Sequence, residues 1–171
     1  MCEVGKNKIF LPKGCPKKTD KIYFKHPQYT DMTFKEWFNN NHKNADPLTI
    51  SNIDCSYNML TSLQGLEDLV NLRRLYCSNN QITSLQGIEG LVKLEALYYY
   101  SNDMTSLQGI ESLLNLKVLL CSNNKLNDLN AYMPVLYLPN LKDLYFDGQY
   151  QDIAGFKKRL KYISNIHNLL R

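Results

Sequence analysis

Counting from Leu72, apolar residues fall at 72, 75, 77, 82, 85, 88 and 91, with polar residues or glycine in most places between. The same seven slots are apolar in the stretch that starts at Ile50 and in the one that starts at Leu94, where Tyr99 and Met104 enlarge the set. A fourth copy starts at Leu116 as LKVLLCSNNKLNDL and runs three residues long through NAYMPVLYLPN; a fifth, LKDLYFDGQY, starts at Leu141 and decays. The step from Leu75 to Leu97 is 22 residues. Self-similarity at such a period predicts a stacked repeat architecture. Within each copy, alternation around Leu75-Tyr76-Cys77-Ser78 predicts a strand with Leu75 and Cys77 facing in. One such strand cannot bury its face alone. Stacked copies pair as a parallel sheet about 4.8 Å apart and share a core, so five strands make a curved sheet roughly 20 Å wide.

Asn58, Asn80, Asn102 and Asn124 share the slot just after each strand, where the chain turns inward. A buried amide can donate and accept for the backbone of neighbouring turns, so the four are expected to form a structural ladder. The TSLQG segment that follows offers Ser and Gly for turning on the convex side, with Gln64, Gln86 and Gln108 expected to bond locally. Cys55, Cys77 and Cys121 occupy one inward slot, which Tyr99 fills in the third copy. Parallel neighbours hold two such sulfurs side by side, a poor torsion for a disulfide, so buried thiols are expected.

The pattern LxxLxCxxNxI at Leu72–Ile82, continued as IxxLxxIxxL, resembles the leucine-rich repeat family. The 22-residue period is similar to the class that includes a protein-phosphatase regulatory subunit, a spliceosomal scaffold protein and bacterial internalins. The Cys-Ser-Asn-Asn variant resembles repeats of amoebal giant viruses, which would make this a viral protein. The resemblance covers about residues 50–148. It implies an α/β repeat: a curved leucine-rich repeat solenoid with a parallel β-sheet on its concave face and caps at both ends. It also implies a structural role for the asparagines.

An open solenoid exposes core at both ends. Thr33-Phe34-Lys35-Glu36 has capping-box spacing, and Phe34, Trp37 and Phe38 follow on one helical face, which predicts a short helix over 33–41. Lys8–Leu11 and Lys21–Lys25 are candidate strands. At the other end, GFKKRLKYISNIHNLL puts Phe156, Leu160, Ile163 and Leu170 near one side of a helix and Lys157, Lys158, Arg159 and Lys161 mainly on the other. The expected organisation is an N-terminal cap over 1–49, repeats over 50–148 and a C-terminal capping helix over 149–171.

Charge changes this picture little. Residues 1–49 carry nine Lys/Arg against five Asp/Glu, residues 50–148 six against ten, and residues 149–171 five against one. Basic ends suggest nucleic acid or an anionic membrane, but the KKRLK run sits where a solvated cap face is expected. No base-stacking module accompanies it, so a nucleic-acid partner is disfavoured. No apolar run reaches the roughly 18–20 residues that span a bilayer. MCEVGKNKIFLPKG has no segment of signal-peptide length, and the five cysteines have no paired CxxC spacing. An intracellular, cytoplasmic setting without a metal or cofactor is expected.

Residues alternating with the buried ones define the concave face. The central column is Asp54, Tyr76, Tyr98, Leu120 and Tyr145. On one side lie Asn52, Arg74, Ala96, Val118 and Asp143, and on the other Ser56, Ser78, Tyr100, Ser122 and Asp147. Tyr76, Tyr98, Tyr100, Val118, Leu120 and Tyr145 are expected to form one exposed patch with Arg74 at its edge. Tyr99 looks inward between Tyr98 and Tyr100. Tyrosine offers large contact area, a polar tip and little rotamer entropy to lose, which suits a partner protein. Arg74 could anchor a carboxylate, and Asp54, Asp143 and Asp147 could meet basic groups. Catalysis has no support: His26, His42 and His167 lie outside the repeats, and the serines and glycines recur with the period. The expected function is a non-catalytic protein-interaction module, monomeric or weakly self-associating. The alternatives are nucleic-acid or anionic-membrane binding through the basic ends, and a self-associating structural protein.

Overall fold

The computed structural model describes residues 32–127, 129–146, 149–150 and 153–169. The candidate strands Lys8–Leu11 and Lys21–Lys25, the residues Asp147 and Leu170, and the side chain of Ile163 lie outside the described set. The chain enters as a two-residue strand β1 (Met32–Thr33) and helix α1 (Phe34–Asn41), followed by strands β2 (Asn52–Asp54) and β3 (Leu60–Ser62). Strands β4 (Arg74–Tyr76), β5 (Ala96–Tyr98), β6 (Val118–Leu120) and β7 (Asp143–Phe146) follow, one per repeat. A short β8 (Gln149–Tyr150) and helix α2 (Ile153–Leu169) are the last described elements.

The main sheet has the order β2-β4-β5-β6-β7-β8. Its first five strands are parallel and in register, so that Ile53, Leu75, Leu97, Leu119 and Leu144 lie side by side. The last step is 25 residues rather than 22. The three extra residues are taken up by a 3-10 segment, Leu129–Tyr137, which keeps the strand register intact. Pro134, which has no N–H to give, lies buried inside this segment.

The interior is one continuous cluster running from Phe34 and Trp37 through the repeat leucines to Phe156 and Leu160. Burying each leucine contributes about 2 kcal/mol, and no repeat could bury its set without a neighbour. Cys55, Cys77, Tyr99 and Cys121 occupy the inward slot as expected, and Tyr99 is 1% exposed. Burial is the main reason the Cys55 and Cys77 thiols are pushed far above the ordinary thiol pKa, so they stay protonated and inert.

The asparagine ladder is present and graded. Asn80 Oδ1 accepts from the Asn58 and Leu60 N–H groups at 3.0 Å each, and its Nδ2 donates to the carbonyls of Cys55 and Cys77. Asn102 and Asn124 follow one and two turns on: each accepts from one N–H, of Ile82 and Met104 respectively, and donates to two inward carbonyls, of Cys77 and Tyr99 and of Tyr99 and Cys121. Asn58, in the first turn, donates to Ser56 O of its own copy. The residue just before each ladder position, namely Tyr57, Asn79, Ser101 and Asn123, has φ between 55° and 62°. This left-handed turn lets the chain bend inward; asparagine tolerates it well, whereas tyrosine and serine hold it against their preference.

On the convex side Gly65, Gly87 and Gly109 have φ near +100°. At Gly65 a Cβ would lie 2.6 Å from Lys35 Cβ, so the same glycine lets α1 approach the first repeat. The carboxylates of Glu67, Glu89 and Glu111 accept from the glycine N–H groups. The glutamine side chains at 64, 86 and 108 are exposed; it is the Ser62 and Ser106 hydroxyls that bond locally, accepting from the Gln64 and Gln108 N–H groups.

Helix α1 starts at Phe34 with Thr33 as its cap: Thr33 Oγ1 accepts from Glu36 N, and the Glu36 carboxylate accepts from Thr33 N. It is joined to the first repeat by Lys35 N donating to Gln64 O and by the parallel pair β1–β3, which pattern alone does not predict. At the far end Phe156 of α2 sits against Tyr132 and Phe146, with ring centroids 5.7 and 5.0 Å away. Lys157 donates to Leu138 O, and Lys158, Arg159 and Lys161 are exposed.

Candidate interaction face

Two registers build the concave face. Arg74, Ala96, Val118 and Asp143 stand side by side, and so do Tyr76, Tyr98, Leu120 and Tyr145. Strand alternation turns all of them away from the leucine core. The Tyr76 and Tyr98 rings stack with centroids 4.6 Å apart and planes 6° from parallel. Neighbouring parallel strands impose just such a separation, and each ring restricts the rotamers of the other. Tyr100 is half-buried on the same side, while Tyr99 between it and Tyr98 is in the core.

The patch is not uniformly exposed. Leu120, expected at its surface, is only 8% exposed. It stands in register between Tyr98 and Tyr145, whose longer side chains rise above a leucine and shade it. Ala96 and Ser78 are also buried, at 5% and 2%. Tyr76, Tyr98, Tyr100, Val118 and Tyr145 are half-buried, and Arg74 is exposed.

Fixed charge surrounds the patch. Arg74 Nη1 donates to Asn52 Oδ1 at 3.2 Å. Along the entry edge of the sheet, Glu95 accepts from Lys117 at 2.8 Å and from Arg73 at 2.5 Å. Those two hydrogen bonds, with Lys117 the stronger influence, hold the Glu95 carboxyl below its ordinary pKa. At the exit edge Lys125 pairs with Asp103 at 2.8 Å. Asp54 is exposed and accepts from Ser56 N. A face so built can offer ring edges, phenol hydroxyls and a few charges to a macromolecule. Among the described residues no cluster of three or more His, Cys, Asp or Glu could hold a metal ion, and no helix is long and apolar enough to cross a membrane. His42 stacks on Phe38, 5.1 Å away, and meets Trp37 edge-on at 5.4 Å.

Residues 50–91 match the family model for leucine-rich repeats, two copies. The fold is similar to an internalin C2 from Listeria monocytogenes, with 26% identity and a TM-score of 0.54, over 58% of this chain and 42% of that one. An internalin F from the same organism gives 28% identity and a TM-score of 0.55, over 60% of this chain and 30% of that one. The chain therefore spans less than half the length of either. Compared with the curated proteins, the sequence matches none.

Proposed function

From the premise that this chain is a leucine-rich repeat protein, we propose that it is a non-catalytic interaction module that holds a partner protein on its concave tyrosine face. Tyr76, Tyr98, Tyr100, Val118 and Tyr145 supply the contact, with Leu120 between Tyr98 and Tyr145 and Arg74 at the edge. The observation that carries this reading is the in-register Tyr76–Tyr98 stack. Two large amphipathic side chains are already ordered there before any partner arrives, so little rotamer entropy remains to be lost on binding. The shaded Leu120 beside them gives a partner's apolar side chain somewhere to insert.

The test is paired substitution. Tyr76→Ala with Tyr98→Ala should abolish capture of a partner from the native cell while the circular dichroism spectrum and melting temperature stay close to those of the parent. Undiminished capture would remove the concave face from consideration. A second reading, binding of nucleic acid or anionic membrane, is favoured only by the exposed trio Lys158, Arg159 and Lys161 on α2. It requires affinity that falls steeply with salt.

A further inference from the structure

Four of the most exposed large apolar side chains share a single slot of the repeat: Leu48 at 59%, Val70 at 42%, Val92 at 52% and Leu114 at 53%. They lie 22 residues apart, just before the chain enters each strand. An exposed aliphatic in one copy would be ordinary. Here the position two residues before each of four successive copies is aliphatic, while the next slot on varies among Thr49, Asn71, Lys93 and Asn115, so simple inheritance of one residue does not account for it.

The row is held as a ridge. Asn71 Nδ2 donates to Leu48 O, Asn115 Nδ2 to Val92 O and Asn140 Nδ2 to Leu114 O, at 2.7, 2.9 and 2.8 Å. Lys93 Nζ reaches back to Asn71 Oδ1. This second, outer ladder ties the backbones of Leu48, Val92 and Leu114 to the following copy, while at Val70 the link runs between side chains, from Lys93 to Asn71. The result is a rigid apolar line along one side of the solenoid, apart from the concave face.

Its two flanks carry opposite charge. The chain approaches the ridge past Glu67, Asp68, Glu89 and Glu111, all acidic. It leaves the ridge past Arg73, Lys93, Lys117 and Lys142, with Glu95 already bridged between Arg73 and Lys117. A surface striped acidic, apolar, basic is complementary to itself in one arrangement. When a two-fold axis runs parallel to the ridge, each acidic flank meets the basic flank of the other copy. With the axis across the ridge, acid meets acid and base meets base.

We propose that two copies of this chain associate side by side along this ridge, about a two-fold axis parallel to the stacking direction of the repeats. The axis brings each ridge residue against its own equivalent, Val92 against Val92 of the partner copy. Four half-exposed aliphatics fall well short of the ~800 Å² that each partner of a stable interface contributes, so the dimer is weak and reversible.

Sedimentation equilibrium of the full chain over a wide concentration range is the first test. A monomer–dimer equilibrium should appear. Val92→Lys with Leu114→Lys should weaken it at least tenfold, and Tyr76→Ala should not change it. A short bismaleimide supplies the second test, which does not depend on the lysine variant folding. It should join Val92→Cys chains to one another well above the background of the unsubstituted chain. A monomer at every concentration, a dimer indifferent to the lysine pair, or cross-linking of a Leu48→Cys chain to a Leu114→Cys chain in place of like to like would overturn the proposal.

Discussion

At the scale of single residues the ladder asparagines are not equivalent, although the sequence writes them identically. Asn80 serves four backbone groups from two copies, whereas Asn58 donates within its own turn. Replacing Asn80 with Ala strands buried donors and acceptors and should lower the unfolding free energy by about 3 kcal/mol; Asn58→Ala should cost about 1 kcal/mol. Urea titration of the two variants tests the ranking, and equal losses would mean that the ladder does not bear load through shared groups. The inward slot makes a second prediction, about pH. Burial raises the pKa of Cys55, Cys77 and Tyr99 in the folded chain. The native state therefore keeps protons that the unfolded chain releases, so stability is complete below the ordinary thiol value of 9.0 and falls as pH climbs above it. Each group that titrates only on unfolding adds a slope of about 1.4 kcal/mol per pH unit. Urea midpoints measured from neutral to strongly alkaline pH should decline, and Cys77→Ala should make the decline shallower. A flat profile would mean these groups reach solvent.

At the scale of elements, what was legible in the sequence was whatever the 22-residue step controls: five parallel strands, their register, the ladder, the convex glycine turns and the inward Tyr99. The capping box at Thr33 was also legible, because it depends on side-chain spacing within one turn. Elements that depend on tertiary neighbours were not. β1 is two residues long, too short to carry a pattern, and pairs only because α1 delivers it beside β3. β8 folds back antiparallel to β7 where the fifth copy loses its period. The shading of Leu120 was hidden too, since periodicity gives the direction of a side chain but not the height of the ones beside it. The outer ladder was hidden because its slot mixes Asn with Lys. The last repeat depends on α2, whose Phe156 is 1% exposed against Tyr132 and Phe146. Phe156→Ala should destabilise by about 3–4 kcal/mol. Because a solenoid repeat contacts only its neighbours, the damage should be local. Hydrogen exchange should show β7 amides losing protection while those of β4 hold, whereas uniform loss would reveal all-or-none coupling.

At the scale of the whole molecule the same nearest-neighbour logic makes position decide consequence. Leu97 lies in the middle strand of the five, between Leu75 and Leu119, and is fully buried. Leu97→Ala should cost about 2–5 kcal/mol, as cavities in close-packed interiors do. It should also weaken the interfaces on both sides at once, so that neither the first two copies nor the last two retain a complete neighbour. A change at Leu144, the last parallel strand, removes as many methyl groups but touches one repeat interface and the α2 side. The expected contrast is a broadened or two-step urea transition for Leu144→Ala, as the C-terminal part unfolds first, against a single shifted transition for Leu97→Ala. The proposed binding face sharpens this. Tyr76 and Tyr98 belong to β4 and β5, so a partner gripping them spans the very interface that Leu97 supports, while Tyr145 lies beyond it on β7. A partner that engages both ends of the row binds only the stacked state and stabilises it by mass action. Saturating partner should therefore recover much of the stability lost in Leu97→Ala, and in Leu144→Ala should draw the two steps back into one. If bound partner left the Leu144→Ala transition in two steps, the grip would be confined to β4 and β5, and Tyr145 would not belong to the face.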